Sequence, residues 1–425
     1  MEQSITDSGP ARPGSACPVT GPPRPSMASR RITSSAIREL LAVANRPGVI
    51  SLAGGLPSSR HFPLARTSDV VSELLASDPE VLQYSCTEGD PDLREWVAGR
   101  HGAAVDRVLI THGSQQGLDL VARATLDPGD PVALADPGYI GAIQAMRLSG
   151  GLLVGLPTDD QGLAVEDLEE RLRRGLRPRL VYVVPNFHNP TGATLSPGRC
   201  RLLAGLADHY GFVIVEDDPY GEIRFSGEPP PPLSRLTDRV VTVGTISKVL
   251  FPGLRLGWIV APDSLAPSFA LVKQAMDLHT ATLTQRIALC LLTAPGFLEG
   301  HLSILRTHYA EQSRVLADAL RTELGETLET APSSGGMFLW ARVRGPGVDT
   351  HALLPRAIDQ GIAYVPGSAF SVEKPHRSSL RLSYATVSPE ALAEGAHRLG
   401  GVLLDRRGGT APGRVAPTPS EPTSR

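Results

Sequence analysis

Seven short apolar runs punctuate the first two thirds of the chain: Val108–Thr111, Val132–Ala135, Leu152–Leu156, Leu180–Val184, Val213–Glu216, Val240–Gly244 and Leu256–Val260. They are continuous rather than alternating, which is the pattern of strands covered on both faces. Stretches of helical length, such as Gln116–Thr125 and Pro197–Tyr210, lie between most of them. This alternation predicts an α/β fold, with a mostly parallel seven-stranded sheet and helices on both faces. After Thr282 the pattern changes to helices over Thr284–Leu292 and Phe297–Leu324. Short strands follow at Met337–Val343, Ala363–Val365 and Leu380–Tyr384, a smaller α+β domain. In such folds ligands gather at the carboxyl ends of the strands, so the residues after each run carry the function.

Ahead of the sheet, Ile37, Leu40 and Leu41 have helical spacing behind Ser34 or Ser35 as N-cap, and this helix ends before Pro47. The run Val49–Pro57 is broken by Gly54 and Gly55, which suit a plain turn or a close approach of backbone to a ligand. Residues 1–29 and 406–425 are rich in Pro, Ser, Gly or Thr without periodicity, and are expected to be disordered tails. The expected partition is an N-terminal helix and joining segment over 30–64, a large domain over 65–300 and a small domain over 301–405.

Composition narrows the class. Of the 425 residues, 41% are hydrophobic and 20% charged, as in an ordinary globular protein. A net charge of -3 carries no footprint for nucleic acid or an anionic membrane. No apolar run approaches the roughly 18 residues of a membrane span. The N-terminus lacks a signal-peptide pattern. Cys17, Cys86, Cys200 and Cys290 are scattered without metal-ligand spacing, which suits free thiols in the cytoplasm and no metal site.

The basic residues are more telling. Only Lys248, Lys273 and Lys374 are lysines; the other 38 of 41 are arginines. A lysine can lose its proton and attack a carbonyl, which arginine cannot. Lys248 follows the Val240 run in Thr245-Ile-Ser247-Lys248-Val-Leu-Phe-Pro-Gly-Leu-Arg255. At the other strand ends stand Gly113-Ser114-Gln115 opening a helix, which is either a phosphate cradle or a simple N-cap. Tyr139 suits stacking on a flat ring or core packing. Asn189 lies before a proline. Asp217, with Glu216 beside it, is expensive to bury without a cation, and Tyr220 is three residues on. One ligand with a phosphate, a basic aromatic ring and an aldehyde would use them all, and pyridoxal phosphate fits that description.

These motifs, with Ser-Ala-Ile-Arg38, Ser-Leu-Ala-Gly-Gly55-Leu-Pro, Gln-Tyr84-Ser and Leu-Arg381-Leu-Ser, resemble the class I/II aminotransferases of fold type I. The group containing aminoadipate and kynurenine aminotransferases is the most similar. The likeness runs from about Arg31 to Leu404. It implies that Lys248 forms the Schiff base with the cofactor and shuttles a proton, and that Asp217 keeps the ring nitrogen protonated. Tyr220 and Asn189 would bond the phenolic oxygen, and Tyr139 would stack on the ring. Ser114, Gln115, Ser247 and Arg255, with Thr245, would hold the phosphate. Tyr84 would reach the neighbouring subunit's cofactor, which implies a homodimer with shared sites. Arg381 would pair with the substrate α-carboxylate beside the Gly55 backbone. Arg38 would meet the distal end of the substrate, or is a surface helix arginine.

The resemblance implies transfer of an amino group between an L-amino acid and a 2-oxo acid in two half-reactions. Acidic or aromatic substrates are expected by analogy, or an arylglycine in secondary metabolism. Decarboxylation, racemisation, elimination and oxidative deamination use the same scaffold. A transcriptional regulator with an aminotransferase-like domain needs a winged helix, for which residues 1–29 are too short and Pro-rich. The roles of Arg60, His61, His112 and His188 stay open.

Overall fold

The computed structural model describes residues 24–32, 46–330 and 333–405. The helix expected from Ser34, with Arg38, lies outside the described residues, as do residues 1–23 and 406–425. The central sheet has seven strands: β1 (Val108–Thr111), β2 (Pro131–Ala135), β3 (Leu152–Leu156), β4 (Leu180–Val183), β5 (Val213–Asp217), β6 (Val240–Thr245) and β7 (Gly257–Val260). Their spatial order is β1-β7-β6-β5-β4-β2-β3. Strands β1, β4, β6 and β7 are buried at every position, as continuous apolar runs require.

Only β7 runs against its neighbours, β1 and β6. The other pairings, β3 with β2, β2 with β4, β4 with β5 and β5 with β6, are parallel. Parallel neighbours need a long crossover, whereas a short connection can only fold back. The link from β6 to β7 is of the second kind. It holds no α-helix, only the 3₁₀ turn Pro252–Leu254, and Lys248 sits within it.

After β1 comes helix α1 (Gly113–Thr125), whose Gly117, Leu118, Leu120, Val121 and Ala122 are buried. Its first turn lies hard against the start of β7. A Cβ on Gly257 would stand 2.7 Å from the Gly113 carbonyl carbon and 2.8 Å from the Ser114 nitrogen. Helices α2 (Ala266–Asp277), α3 (Thr282–Thr293) and the 28-residue α4 (Phe297–Leu324) follow. No single helix among the described residues is long and apolar enough to cross a membrane.

The smaller sheet is antiparallel, with β8 (Leu328–Thr330), β9 (Phe338–Val343), β10 (Val365–Pro366) and β11 (Ser379–Ser383) in the order β8-β9-β11-β10. Helix α5 (Pro389–Leu404) packs against α4. The single strand expected over Ala363–Val365 is two pieces. Ala363 pairs in parallel with Ser51, while Val365 pairs with Arg381. Between them Tyr364 is buried and donates its hydroxyl to the Thr350 carbonyl, and the chain changes partners there. The incoming segment is thereby stitched to the small sheet: Leu52 N donates to Ala363 O, and Ser383 N to Leu52 O. Gly54 and Gly55 follow directly.

The contact between α1 and β7 is backbone on backbone, so it has no side chain to yield. Gly257→Ala is expected to lower the unfolding free energy by about 2 kcal/mol. Gly205→Ala, with open space around it inside helix Pro197–Tyr210, is expected to cost nothing. Urea denaturation of the two variants checks this.

Candidate active site

The strand-end loops and the small sheet enclose one cavity of about 330 Å³. Gly55, Ser114, Gln115, Tyr139, Asn189 and Asp217 line it, together with Tyr220, Thr245, Ser247, Lys248, Arg255 and Arg381. These residues span more than 320 positions of sequence, from 55 to 381, and the fold brings all of them together.

Three ionisable side chains line the cavity, each held by neutral groups. Lys248 Nζ donates to the Gly55 carbonyl at 2.8 Å. Burial, with Arg381 and Arg255 nearby, brings its pKa down to about 8. Arg381 is 2% exposed. Its Nη1 donates to Asn189 Oδ1 and its Nη2 to the Ala53 carbonyl, both at 2.8 Å, while Nε has no partner. Its guanidinium carbon lies 4.1 Å from the Phe338 ring centroid and 5.0 Å from that of Phe370. Asp217 accepts from the Tyr182 hydroxyl at Oδ2, 2.7 Å, and its buried Oδ1 has no partner. Burial raises its pKa to about 7 against the opposing pull of the Tyr182 bond.

Strand alternation explains why Asp217, and neither neighbour, serves the cavity. Glu216 points to the other face, where it accepts from Leu233 N and the Thr242 hydroxyl. Asp218 is engaged by Asn186 Nδ2 and Gly221 N.

At one end of the cavity α1 presents its N-terminus, with Ser114 and Gln115 in the first turn. Arg255 is held at φ 49° and closes over Gly113, where a Cβ would come within 2.9 Å of its Nη2. The Thr245 hydroxyl donates to the Leu256 carbonyl and lies 2.9 Å from Ser247 Oγ, so these hydroxyls sit beside the same turn. Free N–H groups, hydroxyls and a guanidinium make an anion site.

Along the wall, the Asn189 carboxamide bridges Arg381 and the Tyr220 hydroxyl. Tyr220 meets the Phe338 ring edge-on at 5.9 Å. Tyr139 precedes helix Ile140–Leu148. Three residues before Tyr139, Asp136 accepts from the Val372, Glu373 and Lys374 N–H groups and faces His376 at 2.7 Å. Gly54 and Gly55 have no positive φ, and a Cβ at either would meet nothing closer than 3.4 Å.

Other residues lie apart. Tyr84 is 78% exposed and contacts His279 edge-on, outside the cavity. Arg38 lies outside the described residues. His61 meets His308 with tilted rings, centroids 4.4 Å apart, and Arg60 is exposed. His188 is buried with its Nδ1 at the Thr191 hydroxyl, and burial lowers its pKa to about 4. Tyr182, Phe338 and Phe370 escaped the sequence reading. Tyr182 lies in β4, next to β5, and no local feature of the sequence marks it.

The model of the family "Aminotransferase class I and II" matches residues 48–399. The chain belongs to this family. This aminotransferase is 42% identical over 380 residues to the 2-aminoadipate transaminase of Thermus thermophilus, covering 88% of this chain and 94% of that one. It is 38% identical over 379 residues to aromatic-amino-acid aminotransferase 1 of Thermococcus litoralis, covering 86% and 90%. Among solved structures, an α-aminoadipate aminotransferase of Thermus thermophilus complexed with N-(5'-phosphopyridoxyl)-L-leucine superposes with a TM-score of 0.84 at 39% identity. That likeness covers 89% of this chain and 97% of the other.

The residues of this aminotransferase fit pyridoxal phosphate. The unpartnered Asp217 Oδ1 suits a protonated ring nitrogen, the α1 N-terminus suits the phosphate, and Lys248 suits the aldehyde. The depressed pKa of Lys248 sets a sign for pH dependence. Below about pH 8 the amine is protonated and inert toward aldehydes; above it the amine is neutral and reacts. Borohydride trapping of pyridoxal on the apoenzyme is therefore expected to rise with a midpoint near pH 8. Mass spectrometry should place the label on Lys248.

Proposed function

We propose that this aminotransferase takes L-amino acids with large apolar or aromatic side chains as donors, with the cavity residues acting in the roles described next. The observation that carries the substrate class is the apolar wall formed by Leu56, Ile140, Phe338 and Phe370. The basic side chains lining the cavity among the described residues are Lys248, Arg255 and Arg381, and each has another task. The 38% identity to an aromatic-amino-acid aminotransferase supports the same class.

When bound, pyridoxal phosphate supplies an aldehyde for the amino group and a ring that accepts the electron pair released at the substrate α-carbon. Arg381 takes the substrate α-carboxylate, to which it still offers Nε and the remaining Nη hydrogens. Lys248 Nζ removes the α-carbon proton and returns a proton in the second half-reaction. Asp217 Oδ1 holds the proton on the ring nitrogen. Tyr220 and Asn189 bond the ring oxygen, and Tyr139 covers one face of the ring. Ser114, Gln115, Thr245, Ser247 and Arg255 hold the phosphate. The Phe338 and Phe370 rings pack against the Arg381 guanidinium and shield it from water.

An acceptor with a distal carboxylate needs a further cation, and Arg38 is the residue the sequence nominates. Steady-state assays with phenylalanine and 2-oxoglutarate are expected to give the parallel lines of a ping-pong reaction. Arg38→Gln should lower kcat/KM for 2-oxoglutarate by about tenfold or more while sparing phenylalanine. A wild-type enzyme that prefers glutamate to every aromatic donor contradicts the substrate class.

The functional unit is a homodimer. Exposed Leu82 and Tyr84 stand beside exposed Leu278, and a second copy covering them would carry Tyr84 to its partner's phosphate. Sedimentation at twice the chain mass is expected, and a monomer that retains full activity refutes it. Cys86, Cys200 and Cys290 are free thiols, in keeping with a reducing compartment such as the cytoplasm.

A further inference from the structure

Lys273 is one of three lysines in the chain, and none of its surface is exposed. It lies on α2, outside the cavity. Its Nζ is 2.8 Å and 3.0 Å from the two carboxylate oxygens of Asp277 and 3.4 Å from Gln116 Oε1. Asp277 Oδ2 also accepts from Gln116 Nε2 at 2.6 Å and from His112 Nδ1 at 2.7 Å. Lys273 is buried while the Asp277 side chain is 22% exposed, and an ion pair of this kind contributes little net stability compared with apolar residues of the same size. Its position offers another reason for it.

His112 is the residue before α1, and Gln116 is in that helix. The ammonium on one side and the carboxylate on the other fix which way the Gln116 amide points. Its Oε1 must face the lysine, and there it also accepts from the His112 backbone N–H at 2.8 Å. This closes the N-terminus of α1 from behind. The N–H groups of Gly113, Ser114 and Gln115, the next in line, have no carbonyl partner within a helix that starts there. They are left to the cavity. On the opposite side Arg255 presses on Gly113, so the first turn is clamped between a guanidinium and this network.

We propose that Lys273, Asp277, Gln116 and His112 are positioning residues for the cofactor phosphate. They hold the first turn of α1 so that its N–H groups converge on the phosphate without touching it themselves. The proposal rests on the assignment of the phosphate to this helix end.

The test is titration of the apoenzyme with pyridoxal phosphate and, separately, with pyridoxal, which lacks the phosphate. Two variants are compared with the wild type: the double variant Lys273→Met/Asp277→Leu, which removes the pair without stranding a charge, and Gln116→Leu, which keeps the pair. Each is expected to bind pyridoxal phosphate roughly tenfold more weakly and pyridoxal within about twofold of wild type, the scale of a lost helix cap. Thermal melting of the apo forms identifies a variant that fails to fold, and Gln116→Leu then carries the test. Equal weakening toward both ligands, or no weakening toward either, overturns the proposal. A wild-type apoenzyme that binds pyridoxal as tightly as pyridoxal phosphate removes the phosphate assignment itself.

Discussion

Three ionisable side chains line one cavity without being paired to one another. Among the described residues no ion pair includes Lys248, Asp217 or Arg381; a carbonyl, a hydroxyl, a carboxamide and a second carbonyl hold them instead. Neutral dipoles offset part of the cost of removing a charge from water, but only an opposite charge offsets the rest. The site is therefore costly when empty and complementary to a ligand with an anionic group at Arg381, a cationic nitrogen at Asp217 and an electrophile at Lys248. Mutual neutralisation would have stabilised the fold and abolished the site.

The topology keeps these charges apart. Asp217 ends a parallel strand, Lys248 sits in the one fold-back connection of the main sheet, and Arg381 comes from the small sheet. The fold-back also sets β7 beside α1, where Gly257 lets the helix N-terminus approach the strand. The anion site and the lysine thus depend on the same reversal of chain direction. The small sheet is tied to the strand-end loops of the main one by the Asp136 carboxylate under residues 372–374 and by Asn189 Oδ1 at Arg381.

Much of this was legible in the chain. Runs such as Val240–Gly244 are apolar because both faces are covered, so strand position follows from local sequence, to within a residue for the main sheet. The lysine stood out because arginine fills almost every other basic position. What escaped depends on neighbours distant in sequence. Tyr182 matters only because β4 lies beside β5. Phe338 and Phe370 gain meaning from the strand that carries Arg381 between them. The change of partner at Tyr364 is invisible in an apolar run that looks like one strand. His112 and Asp277 are 165 residues apart, and neither alone suggests the other.

The unpaired groups of the cavity suit a cofactor that exchanges an amino group with substrate. The visible absorption spectrum of the purified protein tests it most directly, read before and after each amino acid is added. A yellow band that bleaches with a donor and returns when a 2-oxo acid is supplied is expected. A protein that stays colourless after incubation with pyridoxal phosphate, or a band that no amino acid bleaches, would contradict it.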